Sequence, residues 1–310
     1  MPVGSVIIVS HNSAAYIEGC LRALASFEDW KIILVDNSSN DDTVERAQGV
    51  RVDLSLVLNA QNTGFAAAVN QGAQVAEGNL FVVLNPDAFA SPRSLDSLAQ
   101  VLSAADAVGA AGGLLTKNNG TAEKGFTVRR LPSLGSMLAE VLLINRIWPT
   151  NPWNRRYRCL DLDYTKVQEV EQPAGACLAI KRRAWEDAGG FDESFFPVWF
   201  EDVDFCSRLR DKGWKIVYSP GAVFTHVGGH SVKKLPFRDR QVFWYKNLLR
   251  YFRKHHRHWE VSVLRAGIAI GLLLRVLLAL GRRATGVSVA QAVSSYWHII
   301  WHYALKGEDV

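Results

Sequence analysis

The chain has 310 residues, 48% of them hydrophobic, and a net charge of +5, enough to bury one large core, or one core plus a small appendage. Its four cysteines (Cys20, Cys159, Cys177, Cys206) form no CxxC pair, which argues against a zinc site or a disulfide framework and fits buried thiols in a reducing compartment. Residues 233–283 hold thirteen Lys and Arg against two Asp and Glu, while residues 1–232 carry a net −5, so the two stretches call for different partners.

The opening MPVGSVIIVSHN has no basic start and no small-residue cleavage site, and reads as a strand, not as a secretory signal. The apolar runs SVIIVS (5–10), KIILVD (31–36), LSLVLN (54–59) and NLFVVLN (79–85) are short and rich in β-branched residues. Segments of helical periodicity separate them, the pattern of βαβ units around a parallel sheet buried on both faces. Asn40 ahead of DDTVERA, and Ser91 with Pro92 ahead of RSLDSLAQVL, are the predicted helix starts. Polar residues recur at the strand ends: Ser10, His11 and Asn12; Asp36, Asn37 and Ser38; Asn59 and Asn62; Asn85 and Asp87. In an open α/β sheet that edge binds ligands. In NTGFAAAVNQG, Gly64 predicts a tight turn, and Ala66, Ala67 and Ala68 predict a helix that closely approaches either a nucleotide or the sheet itself.

From about residue 107 the alternation fades, and IWPTNPWNRRYRC (147–159) reads as an irregular loop. Order returns with QPAGACLAIKRRAW, GGFDESFFPVWFEDVDFCSRLRDKGWKIVYSP and FTHVGGHS. The tail from residue 233 interleaves Lys and Arg with Phe, Trp, Tyr and Leu, as a basic amphipathic helix at a membrane interface does. Only nine uncharged residues separate Arg265 from Arg275, short of the roughly 20 that span a bilayer, so a monotopic or re-entrant helix is expected, with WHIIWHYALK as a further interfacial patch. RKHHRH would suit nucleic-acid phosphates, but the apolar AGIAIGLLLRVLLAL argues against that partner. A dimer-forming or domain-packing helix stays open as an alternative, and with it a homodimer.

Taken in order, VSHN, VDNSSNDDT, NTGFAAAVNQG, LNPDA, PAGACLAIKR, GGFDESFF, EDVDFCSRL and HVGGHS resemble the family 2 glycosyltransferases, especially the bacterial rhamnosyltransferase-like branch that builds cell-surface polysaccharides. The resemblance covers about residues 3–232 and implies the GT-A fold, an α/β fold with a mixed, mostly parallel sheet flanked by helices, here followed by a helical membrane-associating tail. It implies a glycosyltransferase domain over 1–232 (nucleotide-binding half 1–106, acceptor-binding half 107–232), which the basic amphipathic tail read from its own composition, 233–310, follows.

The resemblance implies a donor site built from Val9, Ser10, Asn12, Asp36, Asn62, Gly64, Phe65, Asn85, Pro86 and Asp87. Asp36 would accept the imide N–H of a uracil or thymine ring and Ser10 would face the ribose; alternatively, Asp36, Asn37 and Ser38 only form a turn that caps the next helix. Asn62 is assigned to the donor and Asn70 to structure. LNPDA occupies the place of the family's DxD motif, with Asn85 where the first Asp would stand, so that Asp87 is the one carboxylate left for a divalent cation, Mn²⁺ or Mg²⁺. His226 resembles the family's downstream metal ligand, which favours Mn²⁺; the alternative for it, and more strongly for His230, is a core histidine. Asp202 is the expected catalytic base of an inverting displacement, with Glu201 binding the acceptor or positioning that base and Asp204 structural; an acidic helix start is the plain alternative. Asp192, Phe196 and Trp199 would wall the acceptor, while Phe191 and Phe195 fit core packing equally well. Gly175 and Ala176 would admit the transferred sugar.

The implied activity is inverting, metal-dependent transfer from a dTDP- or UDP-sugar, dTDP-L-rhamnose first, to a saccharide or a polyprenyl-diphosphate-linked acceptor. The implied location is the cytoplasmic face of the inner membrane, peripheral or monotopic, with residues 233–283 on the membrane surface. A non-catalytic nucleotide-sugar-binding scaffold is one alternative. A nucleotide-sugar oxidoreductase is another, although VSHNSAAY stands where its G-x-G-x-x-G should follow the first strand.

Overall fold

The computed structural model describes residues 2–228, 234–280 and 288–307. His230, and Lys233, Arg282 and Arg283 of the basic stretch, lie outside the described residues. The chain forms two compact units, Met1–Arg130 with Leu162–Ser231, and Leu131–Asp161 with Val232–Val310.

The first part of the chain supplies β1 (Gly4–Ser10), α1 (Ile17–Leu24), β2 (Trp30–Asp36), α2 (Thr43–Gln48), β3 (Leu54–Leu58), α3 (Phe65–Val75), β4 (Leu80–Leu84) and β5 (Ala88–Ala90). Then come α4 (Ser94–Ser103), β6 (Val108–Thr116) and β7 (Val128–Arg129). Three helices of the second unit follow: α5 (Leu134–Val141), α6 (Ile144–Ile147) and α7 (Pro152–Tyr157). The chain returns to the first unit with β8 (Gln168–Val170), β9 (Gln172–Pro173), β10 (Cys177–Lys181), α8 (Arg182–Ala188), α9 (Glu201–Asp211) and β11 (Lys215–His226). It ends in the second unit with α10 (Phe237–His255), α11 (His258–Leu280), α12 (Val289–Ile299) and a closing turn, Ile300–Leu305.

The main sheet runs β3-β2-β1-β4-β10-β6-β11-β5, with β8 paired to β11. Strands β1 to β4 are parallel, β10 is antiparallel to β4 and β6, and β11 is parallel to β6. This direction pattern brings the C-terminal ends of β1, β2, β4, β6 and β11, together with the start of β10, to one edge. β1 and β4 are buried at every position, as expected of a sheet covered on both faces. On one face Val6, Ile8, Leu34 and Val82 share a core with Ile17, Leu21 and Leu24 of α1 and Leu95, Leu98 and Leu102 of α4. On the other lies α3, whose Ala66, Ala68, Val69 and Ala73 are buried, so helix-on-sheet packing accounts for its small residues.

Three local expectations are corrected. α2 starts at Thr43, because Asn40 is tied to Asn12 Oδ1 (2.8 Å) while the Asp41 carboxylate takes the Thr43 amide (3.2 Å) and hydroxyl. α4 starts at Ser94 after Arg93 in left-handed conformation (φ 65°), since Ser91 and Pro92 lie in the turn that precedes it and Ser91 N is bound to Val223 O (3.0 Å). Within 147–159, α7 forms because Asn151 Oδ1 caps Asn154 N (2.9 Å) and Pro152 takes the first helical position.

In the second unit α11 is 23 residues long, and an 18-residue window within its stretch His258–Ala279 has a mean hydropathy of 2.1, so the stretch is long and apolar enough to cross a membrane by length and composition. The two arginines that interrupt it in sequence are turned to backbone carbonyls of the same unit. Arg265 donates to Ala304 O (2.9 Å) and Leu305 O (2.6 Å), and Arg275 to Gly271 O (3.0 Å) and Val141 O. What α11 exposes is an uncharged stripe through Val263, Ile270, Leu273, Leu274, Leu277 and Leu278, with Leu277 65% exposed.

Candidate active site

At the ends of β1 and β2 the polar side chains bind one another. Ser10 donates to Asp36 Oδ1 (2.8 Å), which also accepts from the Ser39 hydroxyl (2.6 Å), while Asp36 Oδ2 accepts from Ser39 N (2.9 Å). Buried Asn37 is the hub of the next layer. Its Oδ1 accepts from Thr63 N (2.9 Å), Thr63 Oγ1 (3.1 Å) and Asn59 Nδ2 (3.2 Å), and its Nδ2 donates to Asn62 Oδ1 (2.9 Å) and Gly64 O (3.2 Å). The residues predicted to touch donor thus first build their own loops: Asn62 Oδ1 also takes Gly64 N (2.9 Å), and Asn12, at φ 53°, donates its amide to Ser39 Oγ (2.8 Å). Val9 is buried beneath them in β1.

Gly64 adopts φ +86°, and a Cβ there would stand 2.8 Å from the Phe196 ring; Phe65 N donates to Pro197 O (2.8 Å). The glycine is therefore required by the 191–197 segment, not by a nucleotide alone. Asn70 grips the same segment, donating to Phe191 O (2.9 Å) and Glu193 Oε1 (2.8 Å) and accepting from Phe191 N (3.0 Å).

Beyond β4, Asn85 N donates to Ala176 O (3.0 Å), Pro86 is buried, and Asp87 follows, 4% exposed. Asp87 Oδ2 accepts from Gly228 N (3.1 Å), and its Oδ1 lies 3.7 Å from His226 Nε2. The pairing of β5 with β11, Ala88 opposite His226, sets this approach. His226 is 3% exposed, its Nδ1 is 3.1 Å from Glu123 Oε2, and its ring stacks on Phe126 at 5.2 Å. Among the described residues its Nε2 is buried with no hydrogen-bond partner, a costly state for a polar atom unless something accepts its lone pair. Among the described residues no three His, Cys, Asp or Glu gather as a metal site. The pair Asp87 and His226 nevertheless fits a cation that takes its remaining ligands from a bound diphosphate and water.

α9 opens on Glu201 and Asp202, directly after two consecutive aromatics in left-handed conformation, Trp199 (φ 77°) and Phe200 (φ 72°). Such backbone costs about 1–3 kcal/mol per residue and is kept where surrounding structure fixes a functional turn. Half-buried Asp202 accepts from Gly175 N (2.9 Å) and Gln172 Nε2 (3.1 Å) through Oδ2, and from Val203 N (2.9 Å) through Oδ1. A Cβ on Gly175 would meet Asp202 Oδ2 at 2.9 Å; this close approach is to the carboxylate, whereas a transferred sugar was expected there. Burial holds the Asp202 carboxyl above its ordinary pKa, opposed by the Gly175 and Val203 amides and the Arg129 guanidinium. Glu201 is raised well above its usual range by burial and by the Asp202 charge, and its Oε2 is buried without a partner.

The neighbouring acids and aromatics divide into scaffold and surface. Asp204 is fully buried and pairs with Arg208 (2.8 Å), which donates to Gly190 O (2.7 Å) and Ala188 O. Phe191 and Phe195 are buried, and Phe191 packs on Trp185 and Phe205 at 5.2 Å. Phe196 is exposed, Trp199 is half-buried, and half-buried Asp192 accepts Ser194 N (3.0 Å) through Oδ1.

One short path of backbone joins the two reactive corners: Asn85 N to Ala176 O, then Gly175 N to Asp202. Three contributors escaped the sequence: Glu123 at His226, Arg129 near Asp202, and Gln172 on Asp202. Glu123 and Arg129 lie in GTAEKGFTVRR, which has neither periodicity nor a spaced motif to mark them.

Residues 5–186 match the profile of glycosyl transferase family 2, and residues 160–307 that of glycosyl transferase family group 2. The chain belongs to glycosyl transferase family 2. It is 30% identical over 289 residues to the N-acetylglucosaminyl-diphospho-decaprenol L-rhamnosyltransferase of Mycobacterium tuberculosis, covering 87% of this chain and 90% of the relative. It is 24% identical over 259 residues to the rhamnosyltransferase WbbL of Escherichia coli, covering 80% and 92%. Its fold resembles that of the mannosyltransferase PcManGT from Pyrobaculum calidifontis in complex with GDP-Man and Mn²⁺, with a TM-score of 0.55 at 18% identity over 97% of this chain and 84% of that one. This family 2 member is a nucleotide-sugar glycosyltransferase with the GT-A fold.

Proposed function

We propose that this glycosyltransferase transfers L-rhamnose, with inversion, from dTDP-L-rhamnose to a saccharide carried on a polyprenyl diphosphate. The relatives named as rhamnosyltransferases, one of them acting on a decaprenol diphosphate-linked N-acetylglucosamine, support the sugar and the acceptor. The observation that carries the chemistry is the shared sheet edge, where Asp87 and the unpartnered His226 Nε2 are tied through Ala176 and Gly175 to a backbone-held Asp202.

In this reading Asp36 and Ser10 receive the base and ribose, and Asp87 and His226 hold a divalent cation, Mn²⁺ by preference. Bound there, the cation would neutralise charge on the leaving nucleoside diphosphate. Asp202 takes the proton of the acceptor hydroxyl as that oxygen bonds to the anomeric carbon and the bond to the diphosphate breaks on the opposite side. The Gly175 amide and Gln172 fix the carboxylate, and its raised pKa increases its appetite for that proton. Glu201, its carboxyl raised by burial and by the Asp202 charge, positions the base or the acceptor, while Phe196, Trp199 and Asp192 border the acceptor.

The second unit would rest on the cytoplasmic face of a membrane. The uncharged stripe of α11 enters the acyl boundary, and exposed Lys254, Arg257 and Arg238 meet anionic headgroups; flotation with anionic vesicles, lost for Leu277→Asp, tests this. The donor is tested by offering dTDP-L-rhamnose and a panel of UDP-, GDP- and other dTDP-sugars with Mn²⁺ and following donor hydrolysis and transfer to a lipid-linked acceptor. Turnover of dTDP-L-rhamnose above the rest is expected; turnover confined to another nucleotide sugar would replace the donor, and no turnover of any would end the reading.

A further inference from the structure

We propose that Glu123 is a positioning residue for the cation site: it holds the proton of His226 on Nδ1, so that the Nε2 lone pair faces Asp87 and the incoming cation. This rests on reading Asp87 and His226 as the cation's protein ligands.

Three observations meet at this point. Glu123 Oε2 lies 3.1 Å from His226 Nδ1, while Nε2 is buried, without a partner among the described residues, and 3.7 Å from Asp87 Oδ1. An imidazole nitrogen can bind a cation only when it carries no proton, and the carboxylate selects that tautomer because it accepts but cannot donate. A carboxylate behind a ligating imidazole also makes the ring a stronger donor, and removing such a partner typically costs 10- to 100-fold in metal affinity. This matters where, among the described residues, Asp87 is the one carboxylate in ion-pair distance of Nε2.

The glutamate is also seated rigidly enough for the task. Its N donates to Leu115 O (2.8 Å) at the end of β6, and its carbonyl accepts from Phe126 N and Thr127 N (both 3.0 Å). That same turn lays the Phe126 ring on the imidazole with planes 8° apart, which fixes the ring's tilt. The turn therefore sets both the protonation pattern and the aim of His226.

The test uses the full chain. In wild-type protein without metal, long-range ¹H–¹⁵N correlation of labelled histidine should place the His226 proton on Nδ1; a proton on Nε2 overturns the proposal. Mn²⁺ binding is then followed by electron paramagnetic resonance in the presence of dTDP or UDP. Glu123→Gln, whose amide can donate to Nδ1, should shift the proton to Nε2 and weaken Mn²⁺ by 10- to 100-fold, with nucleotide affinity in the absence of Mn²⁺ unchanged. Mn²⁺ affinity within twofold of wild type in Glu123→Gln overturns the role of Glu123. If His226→Ala also binds Mn²⁺ as wild type does, the ligand assignment itself falls; if His226→Ala loses it, the failure belongs to Glu123 alone. The wild-type tautomer measurement decides the matter even if the Gln variant folds poorly.

Discussion

Along the ends of β1 and β2 the polar side chains hydrogen-bond to one another, whereas at the end of β11 and the start of α9 two buried polar atoms, His226 Nε2 and Glu201 Oε2, have no partner among the described residues. Both regions are built on the same sheet edge from the same kinds of residue. The closed network fixes loop shape before any ligand arrives. The open atoms cost stability, and such costs are retained where a substrate or ion completes the bonding.

That contrast can be broken most visibly at Asp202. Asp202→Asn keeps the shape but removes the proton acceptor, so kcat should fall by about 10²- to 10⁴-fold while calorimetric affinity for dTDP or UDP stays within twofold; near-normal turnover would return Asp202 to the scaffold. The opposite substitution lies in the closed network. Asn37→Ala strands the Thr63 amide and Asn62, and should lower unfolding free energy by about 2–3 kcal/mol, read from denaturant melts; an unchanged midpoint would mean the loops do not depend on this hub.

The smallest effect carries a sign. Burial raises the Glu201 carboxyl well above its ordinary value, so the folded protein binds that proton more tightly than the unfolded chain. The stability this group contributes is full below its unfolded pKa and is lost as pH rises through the raised folded value. Glu201→Gln, neutral throughout, should therefore melt above wild type at pH 7.5, with the difference shrinking as pH falls toward 4. A lower melting temperature at both pH values would show that the carboxylate is a structural partner.

Much of the sheet was legible in the sequence because β1, β2 and β4 are short β-branched runs with their polar residues at one end, and burial on both faces leaves few other readings. The tips were legible as candidates for the same reason. Their partners were not: whether Asp36 faces a base or Ser10 and Ser39 depends on side-chain direction, and Ser10 is 26 positions away. Gly175 shows the same limit. Its small size signals that something comes near, but only the fold identifies Asp202 as the visitor. In α11 the arginines marked a broken apolar run, while in three dimensions Arg265 and Arg275 reach carbonyls of Ala304 and Val141 and leave the outward stripe uncharged. Hydropathy along a line cannot report which way a long side chain turns.

The second unit joins residues 131–161 to the C-terminal helices, and this has a consequence for how the chain must be made. When α5 leaves the ribosome, the residues that pack against it, Gly267 and Gly271 beside Leu138 and Val141, have yet to be synthesised. Its apolar side must wait through more than a hundred further residues. A shortened protein ending near residue 231 would hold that side permanently bare, so clipping the basic tail to obtain a better-behaved catalytic fragment should produce a stickier one unless residues 131–161 are redesigned with it.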